Sequence, residues 1–202
     1  MPGLQGLGLV CAAYLIGSIP FGLLVAQAVG RVDIRRYGSG NIGTANVLRT
    51  VGKRAALLTL LGDLCKGLFP ALAALLLGGS DRLVAGVGLA AVVGHNWPIY
   101  LRFAGGKGVA TTFGALLAMT PVPALLGLLA WLAVVLTSRY TSLGALIASL
   151  LVPPVVLLVS GPGPYFAFSL VATVLIFVRH RDNIKRLVAG TEHRVGQRVR
   201  EG

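Results

Sequence analysis

Seven stretches of Leu, Ala, Val and Gly, nearly free of charge, fill the chain between residues 4 and 179, and no other feature limits the fold as much. They run over 4–29, 55–78, 83–101, 106–120, 122–137, 142–160 and 164–179. Several approach the ~20 apolar residues needed to cross a hydrocarbon core. In lipid no water satisfies a backbone N–H or C=O, so each such run has to be a helix. The sequence therefore predicts an all-α, polytopic membrane protein of about seven transmembrane helices, in one domain over 1–202. With 55% hydrophobic and 12% charged residues, the composition argues against a soluble helical bundle. Polar or Gly/Pro punctuation separates the runs. The fourth and fifth are short; they either cross or form a shallow hairpin, and both cases leave every other segment on the same side. The opening "MPGLQGLGLV" has no positive n-region, so the first run is expected to stay as a spanning helix rather than act as a cleaved signal.

The placement of 18 Lys and Arg residues orients the bundle. The 30–54 loop holds Arg31, Arg35, Arg36, Arg49, Lys53 and Arg54. Arg102 and Lys107 follow the third run, and Arg139 follows the fifth. Arg179, Arg181, Lys185, Arg186, Arg194, Arg198 and Arg200 end the chain. Seven crossings put all of these on one face, leaving Arg82 opposite and Lys66 within a run. By the positive-inside rule that face is cytoplasmic, with the N-terminus outside, the C-terminus inside, and the protein multi-pass in the inner (plasma) membrane. Topology thus accounts for the net charge of +12, and no nucleic-acid partner is expected. Cys11 and Cys65 lack metal-ligand spacing and read as small buried hydrophobes. Six acids and three histidines, all scattered, build no metal site, and no cofactor is expected.

Three polar stretches interrupt this apolar chain. The first is "GSGNIGTAN…R". Gly38, Gly40 and Gly43 permit φ > 0 and a nest of inward N–H groups. Ser39, Asn41, Thr44 and Asn46 add side-chain donors, and Arg49 adds a fork suited to phosphate or carboxylate. A helix start near Ile42 would contribute its N-terminus. A loop with turn glycines alone would not need this density of donors. The second is "GHNWPIYLRFAGGKG". Gly105, Gly106 and Gly108 surround Lys107 and let backbone approach a ligand while the ammonium reaches it. It is not a Walker A loop, because Val109 stands where Ser or Thr would bind magnesium. His95, at the end of the third run, is either a structural hydrogen-bonder or a titratable functional group. Trp97 and Tyr100 read as interfacial anchors. The third is "RHRDNIKRLVAGTEHR". His180 and Asn183 share a helical face, and Ile184, Leu187 and Val188 suggest a short interfacial helix. A basic tail for anionic lipid explains the cations but not Asn183 or Glu192. Asp63 and Lys66, i and i+3 in the second run, form a structural pair that could line the site. Ser142 is either a helix N-cap or a substrate contact. All three stretches fall on the one face that charge assigns to the cytoplasm, which suits a substrate with a phosphate in water and a chain in lipid.

With these motifs in this order, the whole chain resembles the bacterial acyl-phosphate-dependent glycerol-3-phosphate acyltransferases, integral membrane enzymes of phospholipid synthesis. The resemblance implies transfer of an acyl chain from acyl phosphate to the 1-hydroxyl of sn-glycerol 3-phosphate, giving lysophosphatidic acid and phosphate. Membrane lipid and the enzyme that makes acyl phosphate are then expected partners. It implies that Ser39 and Arg49 are essential and that the glycines around Lys107 bind glycerol phosphate. It also implies that His180 and Asn183 support activity and that Glu192 supports structural integrity. The usual Gly-Ala-Thr-Asn of the first motif is here Gly43-Thr44-Ala45-Asn46, with Ala and Thr exchanged.

The residues agree with an activated donor. No His has an Asp five places on, and no Gly-x-Ser-x-Gly elbow exists. A mixed anhydride needs less help: positioning, a cationic clamp and removal of one hydroxyl proton. His95, His180 or a substrate phosphate could take that proton. The competing readings are a transporter of a small organic anion, which would show more ionisable groups deep in its spans, and a lipid phosphatase, faintly echoed by "RHRDN".

Overall fold

A computed structural model describes residues 3–197; Arg198 and Arg200 of the basic tail lie outside the described residues. Ten α-helices follow one another without strands among the described residues. They are α1 (Gly3–Gly17), α2 (Phe21–Gly30), α3 (Thr44–Thr50), α4 (Lys53–Leu76), α5 (Asp81–Asn96), α6 (Val109–Met119), α7 (Pro121–Ser138), α8 (Thr141–Ser160), α9 (Pro164–Arg179) and α10 (Arg181–Val188). Five segments are long and apolar enough to span a membrane: Gly3–Gly30, Lys53–Leu76, Asp81–Leu101, Pro121–Ser138 and Thr141–Ser160. Large side chains such as Leu76, Leu129, Leu136 and Leu158 stand exposed on the outside. Such a surface is stable only against lipid, and the chain is a multi-pass membrane protein.

Two apolar helices are shorter. α6, with 11 residues, is about 16 Å long and stops well short of a ~30 Å core. Buried Thr120 then passes the chain directly into α7, which has a full spanning length. α9 has 16 residues.

The first apolar run is not one helix. It breaks between Gly17 and Phe21, where buried Pro20 lacks an N–H and its ring would strike the carbonyl four residues back. Ser18 Oγ donates to Tyr14 O at 2.8 Å. The Lys66 ammonium crosses from α4 to donate to Ile19 O at 2.8 Å, satisfying a carbonyl that the break frees. Hydropathy alone could not see this, because proline inside α4 (Pro70) and α8 (Pro153, Pro154) leaves those helices continuous.

The helices pair as α4 with α6, α1 with α5, α7 with α8, and α8 with α9. Their main core joins Ala71, Val84, Val92, Leu116, Val156 and Phe168. A second cluster of Leu23, Ala26, Ile34, Ile42, Val47 and Ala55 fastens the 31–52 loop to α2, α3 and α4. Cys65 is half-buried, but Cys11 lies exposed on the apolar exterior rather than buried, because α1 packs mainly on α5 and leaves its other side free.

A candidate anion site at one end of the bundle

The 31–52 loop is held by its own side chains. Asp33 accepts a fork from Arg35 at 2.9 and 2.7 Å, which holds its carboxyl at about 2 and occupies Arg35. Asn46, 2% exposed, donates through Nδ2 to the carbonyls of Ile34, Tyr37 and Asn41, and its Oδ1 accepts from Ser39 N. Asn46 is therefore the post around which the loop winds, not a ligand donor. Gly38 and Gly40 do take the left-handed backbone that side chains avoid, at φ 58 and 67. Gly43 does not. It is extended at φ −80, caps α3, and donates its N–H to Asn41 Oδ1. Because the Ser39, Gly40 and Gly43 amides are all bonded within the loop, the expected nest of inward N–H groups is not formed. Side chains are left to do the binding. Thr44 begins α3 half-buried and away from the cavity described next.

Ser39 and Asn41 line a polar cavity of about 170 Å³ together with Lys107 and the α9–α10 corner: Val178, Arg179, Arg181, Asp182, Asn183 and Arg186. Two of the three sequence motifs supply Asn183 and Lys107 from positions 76 residues apart, and the ammonium donates to the amide oxygen of Asn183. That amide is fixed from behind. Its Nδ2 donates to Glu192 Oε1 at 2.6 Å, so its oxygen must face Lys107. Glu192 also accepts from Ser142 Oγ at 2.9 Å and Arg186 Nε at 2.7 Å. Burial alone would raise its carboxyl, but the bonds from Asn183, Arg186 and Ser142 hold it below the usual range. Ser142 is thus neither an N-cap nor a cavity residue. Tyr140, two residues earlier, occupies the cap, and the Ser142 hydroxyl faces Glu192.

Burial pushes Lys107 down to about 8, the neighbouring Glu192 opposing. Half-buried Arg49 sits near Glu192 and Arg186 with its guanidinium lowered mainly by burial, and its Nε has no hydrogen-bond partner. It lies beside the cavity rather than in its lining. His180, 3% exposed, turns Nδ1 to Ile176 O at 2.8 Å; burial, then the charge on Lys107, pushes it down to about 4. It is a neutral, weakly basic ring.

The glycines around Lys107 serve packing more than ligand approach. A Cβ at Gly105 would overlap the carbonyls of His95 and Asn96, and one at Gly106 would overlap the His95 imidazole. Gly108 caps α6 at φ 79. Arg179, unassigned from sequence, grips this loop: Nε and Nη2 donate to the carbonyls of Gly106 and Gly105 at 2.8 and 2.7 Å, and its guanidinium lies 5.6 Å from the Trp97 ring. Trp97 is therefore a platform for Arg179, while Tyr100 is exposed as an anchor would be. Arg186 and Arg179 are legible only as tail cations; their neighbours Asn183 and His180 mark the place, but the Arg186 bond to Glu192 and the Arg179 fork on the glycine carbonyls need the fold. His95, 4% exposed, lies beneath the loop and not among the cavity-lining residues. Asp63 and Lys66 pair at 2.8 Å as expected, equally buried and also outside the lining. The tail closes over this end: Arg139 donates to Val195 O at 2.8 Å, and Arg194 lies on Tyr140.

Four cations (Lys107, Arg179, Arg181 and Arg186), the Asp182 carboxylate, Ser39, Asn41 and a fixed Asn183 surround one small cavity, an arrangement suited to a phosphorylated polar ligand at the end of an apolar bundle. A family described as glycerol-3-phosphate acyltransferase matches residues 7–190. The glycerol-3-phosphate acyltransferase of Rubrobacter xylanophilus is 50% identical over 191 residues, covering 94% of this chain and 95% of that protein. Glycerol-3-phosphate acyltransferase 2 of Moorella thermoacetica is 51% identical over 186 residues, covering 92% and 95%. Crystal structures of PlsY (YgiH), an integral membrane glycerol 3-phosphate acyltransferase, superpose with TM-scores of 0.91 for its glycerol 3-phosphate form and 0.89 for its lysophosphatidic acid form. They are 42% and 41% identical, each covering 95% of this chain and 96% of the other. With fold and sequence in agreement over almost its whole length, this chain belongs to the glycerol-3-phosphate acyltransferase family of integral membrane enzymes.

Proposed function

We propose that the protein transfers an acyl group from acyl phosphate to the 1-hydroxyl of sn-glycerol 3-phosphate at the Ser39–Lys107–Asn183 cavity. The observation that carries this is the convergence of Lys107, Arg179 and Arg186 with Ser39 and Asn41 on one polar cavity at the end of a lipid-facing bundle. The hydroxyl oxygen attacks the acyl carbonyl carbon, the carbon–oxygen bond to phosphate breaks, and an ester and inorganic phosphate result. Lys107 and the arginines stabilise charge on the departing phosphate and hold the acceptor's phosphate, a preorganised electrostatic role. Arg49 supplies a further fork beside Glu192, and Ser39 and Asn41 orient the glycerol hydroxyls. The proton goes to a substrate phosphate oxygen. A His180 ring with Nδ1 bonded to a carbonyl and a pKa near 4 is a poor base at neutral pH, which favours substrate assistance.

The active site is cytoplasmic, with seven crossings of the inner membrane, the N-terminus outside and the C-terminus inside. Supporting this are the one-sided distribution of Lys and Arg and the contacts that gather Lys107, Arg139, Arg179 and the tail at one end of the bundle. The acyl phosphate then arrives from the cytoplasmic leaflet, where the enzyme that makes it is the natural partner. The test is purified protein in detergent with acyl phosphate and labelled glycerol 3-phosphate. Labelled lysophosphatidic acid and stoichiometric phosphate are expected; product formation with acyl-CoA but not acyl phosphate overturns the donor assignment.

A further inference from the structure

The least expected group of charges lies inside the bundle. Asp63, Lys66 and His95 are 3%, 3% and 4% exposed. Lys66 Nζ is 2.8 Å from Asp63 Oδ1, and His95 Nδ1 approaches the same oxygen at 3.5 Å. None of the three lines the cavity, so the chemistry proposed above leaves them without a task. Taking such groups out of water costs several kcal/mol per ion, and an apolar trio would pack as well. The cluster touches two irregular pieces of backbone. On one side Lys66 donates to Ile19 O in the break between α1 and α2, with its ammonium 5.7 Å from the Phe21 ring. On the other the His95 carbonyl accepts from Gly106 N at 3.0 Å, and its imidazole fills the space where a Cβ of Gly106 would go. Lys107 is the next residue.

We propose that Asp63, Lys66 and His95 are positioning residues that set the height of the Gly105–Lys107 loop, tying it to the fixed break in the first span. Arg179 holds the carbonyls of Gly105 and Gly106 from the cavity side while His95 supports Gly106 from the core side. The ammonium of Lys107 is thereby held against Asn183. The Asp63 carboxylate stands 3.5 Å from His95 Nδ1, which has no hydrogen-bond partner of its own, and so biases the ring by its charge, while Lys66 compensates Asp63 and is itself held by Ile19 O. The acceptor's phosphate site is therefore referenced to the rigid core, and a small shift of the loop displaces its key cation.

This inference rests on the acyl-transfer reading, which wild-type turnover tests separately; the cluster is tested by variants measured relative to wild type. Gly106→Ala should raise the KM for glycerol 3-phosphate about tenfold or more, because the three atoms nearest its methyl all belong to the His95 ring, with the KM for acyl phosphate within about twofold of wild type. His95→Ala should raise the same KM. The double variant Gly106→Ala/His95→Ala should bind glycerol phosphate better than Gly106→Ala alone, since the methyl then has room. Asp63→Asn should raise that KM in the wild-type background and have no further effect when His95 is Ala. Where Lys66→Met does not yield folded protein, Asp63→Asn, which keeps Lys66 on Ile19, carries the same test. Strictly additive effects for either pair overturn the proposal. So does a loss confined to the folded fraction with both KM values unchanged, or a loss of kcat in His95→Ala with normal glycerol phosphate KM, which would make His95 a base.

Discussion

Glu192→Ala is the most informative single change. The carboxylate accepts three bonds, from Asn183 at 2.6 Å, Ser142 at 2.9 Å and Arg186 at 2.7 Å. Asn183 and Ser142 are 6% and 4% exposed, so they cannot turn to bulk water when it is gone. Leaving these two buried donors unsatisfied costs about 1–3 kcal/mol each, about 2–6 kcal/mol together, while Arg186, 31% exposed, rehydrates. For a chain of this size that is a fall in melting temperature of roughly 4–24 °C, at about 2–4 °C per kcal/mol. Glu192→Gln separates charge from shape. Its oxygen still accepts from Asn183 and Ser142, but its NH₂ faces Arg186. The loss is then the one charge-assisted bond, about 1.5–3 kcal/mol, at the low end because the Arg186 side chain is 31% exposed and can rehydrate. Thermal unfolding in detergent, followed by Trp fluorescence, should rank wild type above Glu192→Gln above Glu192→Ala. kcat/KM should fall in the same order, because a freed Asn183 amide no longer holds its oxygen toward Lys107. An unchanged melting temperature and normal kinetics for Glu192→Ala would refute the argument that this carboxylate organises the site.

With Lys107 lowered to about 8, its ammonium is present below that pH and lost above it, so kcat/KM of the free enzyme should fall above pH ~8; in Lys107→Arg, which stays charged, that limb should vanish from the pH–rate profile. Arg49→Ala should cost about 2–4 kcal/mol in kcat/KM with the melting temperature little changed, measured by steady-state kinetics on folded protein; equal losses of stability and activity would make Arg49 structural. Single cysteines at exposed Arg36, Arg102 and Arg194, in a chain with Cys11 and Cys65 replaced, should be labelled only from the cytoplasmic side; outside labelling at any one breaks the shared face.

Hydropathy by itself determined most of the architecture. Seven apolar runs became apolar helical segments with boundaries shifted by a few residues, because in lipid the backbone has one solution and the pattern announces it. The three polar stretches announced themselves as well: against so apolar a background, Ser39, Lys107, Asn183 and Glu192 needed a reason to exist. What the sequence did not determine was the role of each group. A glycine-rich stretch looks alike whether its amides face a ligand or its own loop, and Asn46, Asn41 and Tyr37 had already taken those amides. Glycine beside Lys107 suggested ligand approach, but its closest neighbour is His95. Arg179 and Arg186 read as tail charges until α9 and α10 turned them onto the Gly105–Gly106 carbonyls and Glu192. The break at Ile19 and the joining of His95 to Asp63 and Lys66 were decided by tertiary structure alone. Local spacing brings Asp63 to Lys66 on one helix, but only the packing of α5 and the first span against α4 brings an imidazole and a freed carbonyl within reach of that pair.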